Sequence, residues 1–263
     1  MNHDVTQTLP GTTQAKFTVH TERHVLKARV TATCHNQCSE CSSFDGEYCE
    51  HQTMNERGAL FNKAMIPAVF LNATLIKLGS DPSSPSYAHF VKWIDKWAYR
   101  DPLPMQGMVI SGPQGIGKSF AMAALIRFIT LERGLACRFL DFGHFLMTLK
   151  NCYSQKGNEY DLFDEIHNVH LLIIDDVGSF RNTEWASEIL KIIIAARYNS
   201  CTPTFVTTNL LLESSPQPAT NHLKQSIGEH SYSRLKHMCY WLSLDGRDRR
   251  DVTLPYNHSY FAE

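Results

Sequence analysis

The 263-residue chain has no apolar run approaching the length that crosses a bilayer, which excludes a helical membrane protein and any membrane partner reached that way. Its first residues, MNHDVTQTLPGTTQ, carry no apolar core of the kind that marks a secretory leader, so the expected location is cytoplasmic. An excess of charge is missing too. With 25 Lys and Arg against 26 Asp and Glu, the net charge is −1, and a nucleic-acid partner must be met by local basic patches. Internal repeats and low-complexity tracts are absent, which sets aside solenoids and disordered scaffolds. What is present, 43% hydrophobic and 19% charged residues, suits one α/β domain of ordinary size plus a smaller appendage.

Cysteine is unevenly spread. Cys137, Cys152, Cys201 and Cys239 are scattered near apolar residues and read as buried thiols. Cys34, Cys38, Cys41 and Cys49 crowd into sixteen residues, with His35 and His51 alongside. In a reducing compartment, thiolates this close can close a tetrahedron around Zn²⁺ and make a small zinc-binding module. The spacing C-x3-C-x2-C-x7-C is not a double C-x2-C, and a loop of free cysteines is the alternative. Spacing does not select which of the six side chains would bind.

One stretch, MQGMVISGPQGIGKS at 105–119, organises the rest. Met108–Ile110 is a short run of strand formers. A loop with Gly112, Gly115 and Gly117 follows, then Lys118-Ser119 and an apolar helical pattern. The pattern G-x-x-x-x-G-K-[ST] between strand and helix is a phosphate cradle. Its glycines let backbone N–H groups turn inward, and the helix N-terminus adds partial positive charge. The predicted cradle is Gly112, Pro113, Gln114, Gly115, Ile116, Gly117, Lys118, Ser119 and Phe120. Lys118 reaches the β- and γ-phosphates of ATP, and the Ser119 hydroxyl sits on Mg²⁺. A glycine-rich turn before an ordinary helix is the bland alternative, against which the flanking strand and helix weigh.

Strands are predicted at 136–140, 169–174, 204–208 and 240–244, and helices at 120–132, 142–152, 160–168, 184–198 and within 222–238. Strands alternating with helices imply a parallel, doubly wound sheet of five strands. Upstream, 1–15 reads as frayed, 16–33 as one or two short strands, and 55–64 and 87–99 as helices. Trp93 and Trp97 read as packing residues rather than a base-stacking platform. The apolar run VHLLII ends in Asp175-Asp176, a strand-end acid pair. Asp175 fits a carboxylate that holds Mg²⁺ through water, and Asp176 one that orients an attacking water. Asp is one methylene shorter than the Glu common at the second position, so the water must sit closer to the strand and hydrolysis is expected to be slow or partner-stimulated. Asn209 ends the strand FVTTN, where its amide can fix that water; a turn-forming Asn is the competing reading.

Six segments, IPAVFLNATL (66–75), GPQGIGKS (112–119), LLIIDDVG (171–178), AARYNSCTPTFVTTNL (195–210), YSRL (232–235) and LDGRDRR (244–250), occur in an order that resembles the DnaC/IstB-type branch of the AAA+ ATPases, helicase loaders above all. The resemblance implies an AAA+ P-loop NTPase core at 101–263, a linker and helix at 61–100, and an N-terminal partner-binding module with the cysteine cluster at 1–60. It places Asn209 at the sensor-1 position and Arg234 at the arginine finger that reaches a neighbouring subunit's nucleotide, so a homo-oligomer, ring or helical filament, is implied. Arg250, or as second choice Arg249, matches a terminal arginine near the nucleotide. Arg234 is followed by 29 residues, positions 235–263, too few for the helical C-terminal lid of larger AAA+ proteins.

The function so implied is ATP-dependent loading of the replicative hexameric helicase onto single-stranded DNA. The alternative is a transposon ATPase that assembles on DNA and recruits a transposase. A small-molecule kinase would need a substrate lid that nothing supplies. A nucleotide-switched scaffold without turnover stays open because of Asp176. Candidate DNA contacts are Phe142, Phe145, Lys150, Tyr153, Lys156, Phe180 and Arg181, each with a core or solvated-loop alternative.

Overall fold

Alternation of apolar and polar residues at 16–31 builds the first element. The computed structural model describes residues 5–8, 16–31, 50–78, 84–179, 183–212 and 222–250. Strands β1 (Val5–Thr8), β2 (Lys16–Glu22) and β3 (Val25–Thr31) pair antiparallel in that order. β1 lies within the polar stretch expected to fray; backbone pairing to β2, from Val5 opposite Val19 to Thr8 opposite Lys16, holds it in place of apolar content. Phe17, Val19, Leu26 and Ala28 point to one buried face, as a period of two requires.

Helix α1 (Glu50–Lys63) covers that face with Met54 and Phe61. Asn62 fixes the contact, accepting from the Ala28 N–H and donating to the Ala28 carbonyl. Residue 60, where sequence places a module boundary, lies inside this helix. The buried residues of β2, β3 and α1 join the same apolar cluster as the central sheet. A 3-10 turn at Ala68–Phe70 and the short α2 (Leu75–Leu78) lead to α3 (Pro85–Ala98). Ser84 caps α3 by accepting from the Tyr87 N–H, Pro85 starts it, and Tyr87, Phe90, Ile94 and Trp97 form its buried stripe.

The core then runs β4 (Gly107–Ser111), α4 (Lys118–Leu131), β5 (Cys137–Asp141), α5 (Phe142–Ser154), α6 (Glu159–His167), β6 (Leu171–Val177), α7 (Glu184–Asn199), β7 (Thr204–Thr208), α8 (Leu223–Met238) and β8 (Cys239–Ser243). The sheet is parallel, in the order β5-β6-β7-β4-β8, an AAA+-like core. Strand alternation divides its interior in two. Met108, Ile110, Leu171, Ile173 and Phe205 face α1, α3 and α4, while Val109, Leu172, Ile174 and Val206 face α5 to α8. Near-continuous apolar strands are what burial on both faces demands. Trp97 donates its indole N–H to the Gln106 carbonyl and Trp93 stacks on Tyr240, so both pack.

At the amino ends of β6 and β7 lies a residue that sequence did not single out. Arg197 of α7 is buried and donates to the carbonyls of His167, Val169, His170 and Pro203 and to the Thr204 hydroxyl. Burial lowers its pKa to about 10. Of the scattered thiols, Cys137 and Cys239 are buried, but Cys152 is half-buried and Cys201 exposed: Cys201 sits in the turn after α7, with φ +52°. Among the described residues no helix is long and apolar enough to cross a membrane. Cys34, Cys38, Cys41 and Cys49 lie outside the described residues, and within those residues no group of three or more His, Cys, Asp or Glu is placed to hold a metal.

Candidate nucleotide-binding site

The loop from β4 to α4 needs backbone shapes that a side chain resists. Gly117 has φ +102° and Gly115 φ +77°, and a Cβ on Gly115 would overlap the Asp248 carboxylate. Ile116 is buried beneath the loop, Pro113 and Gln114 are exposed on it, and Phe120 turns its ring toward the core from the first turn of α4. Lys118, mostly buried, donates to the carbonyls of Gly112 (2.6 Å) and Pro113 (2.8 Å) and to Asn209 Oδ1 (2.8 Å). Burial brings its pKa down to about 8; Asp176 and Asp175 pull the other way, and Arg250 adds to the lowering.

Asn209 does reach both halves of the site. Lys118 can only donate and the Asp176 carboxylate can only accept, so the amide has one orientation: Oδ1 toward Lys118, Nδ2 toward Asp176 Oδ1 at 2.8 Å. β7 lies between β4 and β6, which is why its tip can do this. Asp175 Oδ1 accepts from the hydroxyls of Ser119 (2.8 Å) and Thr207 (2.6 Å). Burial raises the Asp175 pKa; those two hydrogen bonds oppose the rise, and Asp176 and Asp141 add to it. A cation beside this carboxylate would relieve what burial imposes, so the Ser119–Asp175 pair fits Mg²⁺.

Two features here were not legible in the sequence. The β6–β7 register breaks between Ile174 and Val177, so Asp175 and Asp176 together oppose the single Thr207. Asp176 takes up the extra residue at φ +57°, a left-handed conformation uncommon for a non-glycine residue. The second feature is a strap, residues 244–250, across the cradle. Leu244 N–H donates to the Ser111 carbonyl and Arg249 N–H to the Gly115 carbonyl. The strap is clasped to α3: Ser84 donates to the Asp245 carbonyl, Ser86 to the Asp245 carboxylate, and the Arg249 guanidinium lies 4.6 Å from the Tyr87 ring centroid.

A cradle lysine, a hydroxyl–carboxylate pair suited to a divalent cation, and an amide joining lysine to a second acid are the parts that a P-loop NTPase site requires. The sequence profile described as IstB-like ATP binding protein matches residues 100–252. The chain belongs to that family. The family's description names ATP binding, which agrees with the phosphate-cradle geometry above. The chain is 25% identical over 203 residues to the replicative helicase loader DnaI of Bacillus subtilis (strain 168), covering 73% of this chain and 63% of that protein. It is 28% identical over 129 residues to the replicative helicase loader DnaC of Escherichia coli (strain K12), covering 49% of each. It thus spans 49% to 63% of the length of these curated relatives. The crystal structure of the DnaC helicase loader superposes with a TM-score of 0.59 at 26% identity, over 67% of this chain and 98% of that one.

The remaining predicted residues fall at the margins of the IstB-like core. Arg234 is half-buried on α8, its guanidinium 6.0 Å from the Tyr198 ring centroid. Gly228, with φ +77°, kinks α8 between the buried Leu223 and Ile227 and the part that bears Arg234. Arg250 ends the strap, exposed, within electrostatic reach of Lys118. Of the DNA candidates, Phe142 and Phe145 are core residues, because they lie on the buried face of α5. Lys150, Tyr153 and Lys156 reach the surface. Trp185 joins them, with Lys150 Nζ 5.1 Å from its ring centroid and Tyr153 edge-on to it. Phe180 and Arg181 lie outside the described residues.

Proposed function

We propose that the protein is an oligomeric, ATP-hydrolysing loader that delivers the replicative hexameric helicase onto single-stranded DNA. One observation carries the nucleotide half: the unbroken chain Lys118–Asn209–Asp176, running from the phosphate cradle to the acid that would act on water. The loader half draws its support from the two relatives that bear that name.

In this reading Lys118 exchanges the Gly112 and Pro113 carbonyls for β- and γ-phosphate oxygens, as charge-assisted bonds favour. Ser119 and Asp175 would hold Mg²⁺, which when bound would supply charge neutralisation for the transferred phosphoryl group. Asn209, released by Lys118, positions the attacking water with Asp176 as the proton acceptor. Arg250 approaches the nucleotide from the strap of its own subunit, and Arg234 from a neighbouring one in a ring or helical filament. The Lys150–Tyr153–Trp185 face supplies cation and aromatic surface for single-stranded DNA, and residues 1–60 meet the helicase.

The test is a loading assay with circular single-stranded DNA and the cognate hexameric helicase, alongside phosphate release. Wild type should hydrolyse ATP slowly and faster with DNA, and Lys118→Ala should do neither. No phosphate release with both partners present, or a strict monomer with ATP and DNA supplied, would sink the reading. A second reading, a transposon ATPase, is favoured by the IstB-like profile spanning the whole core. Recruitment of a transposase in place of the helicase would select it.

A further inference from the structure

We infer that Thr207, which the motif pattern passes over as a strand former, is the positioning residue that holds both acids of the site, acting through Asp175 and Asp176 rather than on nucleotide. The inference rests on the reading of this site as an ATPase centre. Thr207 is buried on β7, the one residue opposite the two-residue bulge of β6.

A bulge leaves a backbone group without its ladder partner, and an N–H left unpaired away from water is costly. Here the Asp176 N–H donates to Thr207 Oγ1 at 2.9 Å, so a side-chain hydroxyl replaces the missing rung. That bond fixes the hydroxyl's own proton. With the oxygen accepting from Asp176 N–H, the O–H is aimed at Asp175 Oδ1, 2.6 Å away. Ser119 donates to the same oxygen. Asp175 therefore has one oxygen occupied by two hydroxyl donors, which sets the rotation of its carboxylate. One hydroxyl thus spans the two acids: it accepts from the backbone of one and donates to the carboxylate of the other. Thr208, its neighbour, closes the far side of the bulge by donating to the Val177 carbonyl. A mere preference for β-branched residues at these positions would not call for both hydroxyls to be engaged.

The experiment compares Thr207→Val, which keeps the shape and removes the hydroxyl, with Thr207→Ser, which keeps the hydroxyl and removes the methyl. Thr207→Val should lower kcat about 10- to 100-fold, the range seen when a group that orients a metal ligand is lost, with ATP KM within about twofold of wild type. It should raise the Mg²⁺ concentration that half-saturates ATP binding and speed hydrogen exchange at the Asp176 amide. Thr207→Ser should stay near wild type in all of these. Wild-type behaviour of Thr207→Val, or equal loss in both variants, would overturn the inference. If wild type itself neither binds nor hydrolyses ATP, the ATPase reading fails instead, and the Asp176 amide still reports whether Thr207 holds the bulge. Should Thr207→Val fold poorly, Thr207→Ala gives the same contrast against Thr207→Ser.

Discussion

The two ends of the central sheet both bury positive charge, and they treat it in opposite ways. At the amino ends of β6 and β7, Arg197 spends its donors on four carbonyls and a hydroxyl that belong there permanently. At the carboxyl ends, Lys118 holds two carbonyls of its own loop and the amide of Asn209. The first arrangement is final, and a ligand would find nothing to exchange. The second is provisional, since every bond it makes is one that a phosphate oxygen can replace. In the proposed reading stability and function are separated along the strands: one end ties the sheet together, and the other tolerates a poorly solvated ammonium for the sake of the phosphate it would bind.

That contrast can be broken most sharply at Lys118. Lys118→Ala should lower ATP turnover by about 10³-fold, the scale of losing an aimed donor to developing charge, while the melting temperature stays level or rises. A marked loss of melting temperature would show that the lysine also holds the fold. Arg197→Met should do the reverse. It strands several buried carbonyls, so unfolding free energy should drop on the order of 3 kcal/mol by urea titration, with ATP affinity of the folded protein unchanged. The smallest effect should come from the strap. Arg249→Ala removes the guanidinium above Tyr87, a contact of about 0.5–1 kcal/mol, and should weaken ATP binding a few-fold by fluorescence titration while lowering the melting temperature by no more than about 4 °C. An unchanged affinity would mean that the clasp on α3 does not shape the nucleotide side.

How much of this could be read from residues alone depends on whether the physics is local. Glycines at positive φ, a lysine and a serine at fixed spacing, and apolar strands ending in acids all announce themselves over a few positions, so the cradle, Asp175, Asp176 and the five strands were legible. Asn209 was legible by place, though not its double engagement. A bulge is a mismatch between two strands far apart in sequence, and no period within LLIIDDV reveals it. Thr207 hid for the same reason: its partners sit on β6, and in FVTTN it shows only strand preference. Arg197 sits in the pattern of an ordinary helix face, and β1 owes its place to backbone pairing that composition cannot display. Phe142 and Phe145 were open to a stacking role until α5 turned them inward.

The intercalation of β7 between the cradle strand and the acid strand also sets a length. Neighbouring strands lie about 4.8 Å apart, so two steps across the sheet separate the lysine's strand from the carboxylates' strand by about 10 Å. Into that width the tip of β7 brings Asn209, whose amide joins the two strand ends. The sheet acts as a gauge, with β7 as the shim, and losing or gaining one residue in that strand would leave the gap intact while turning its tip away from it.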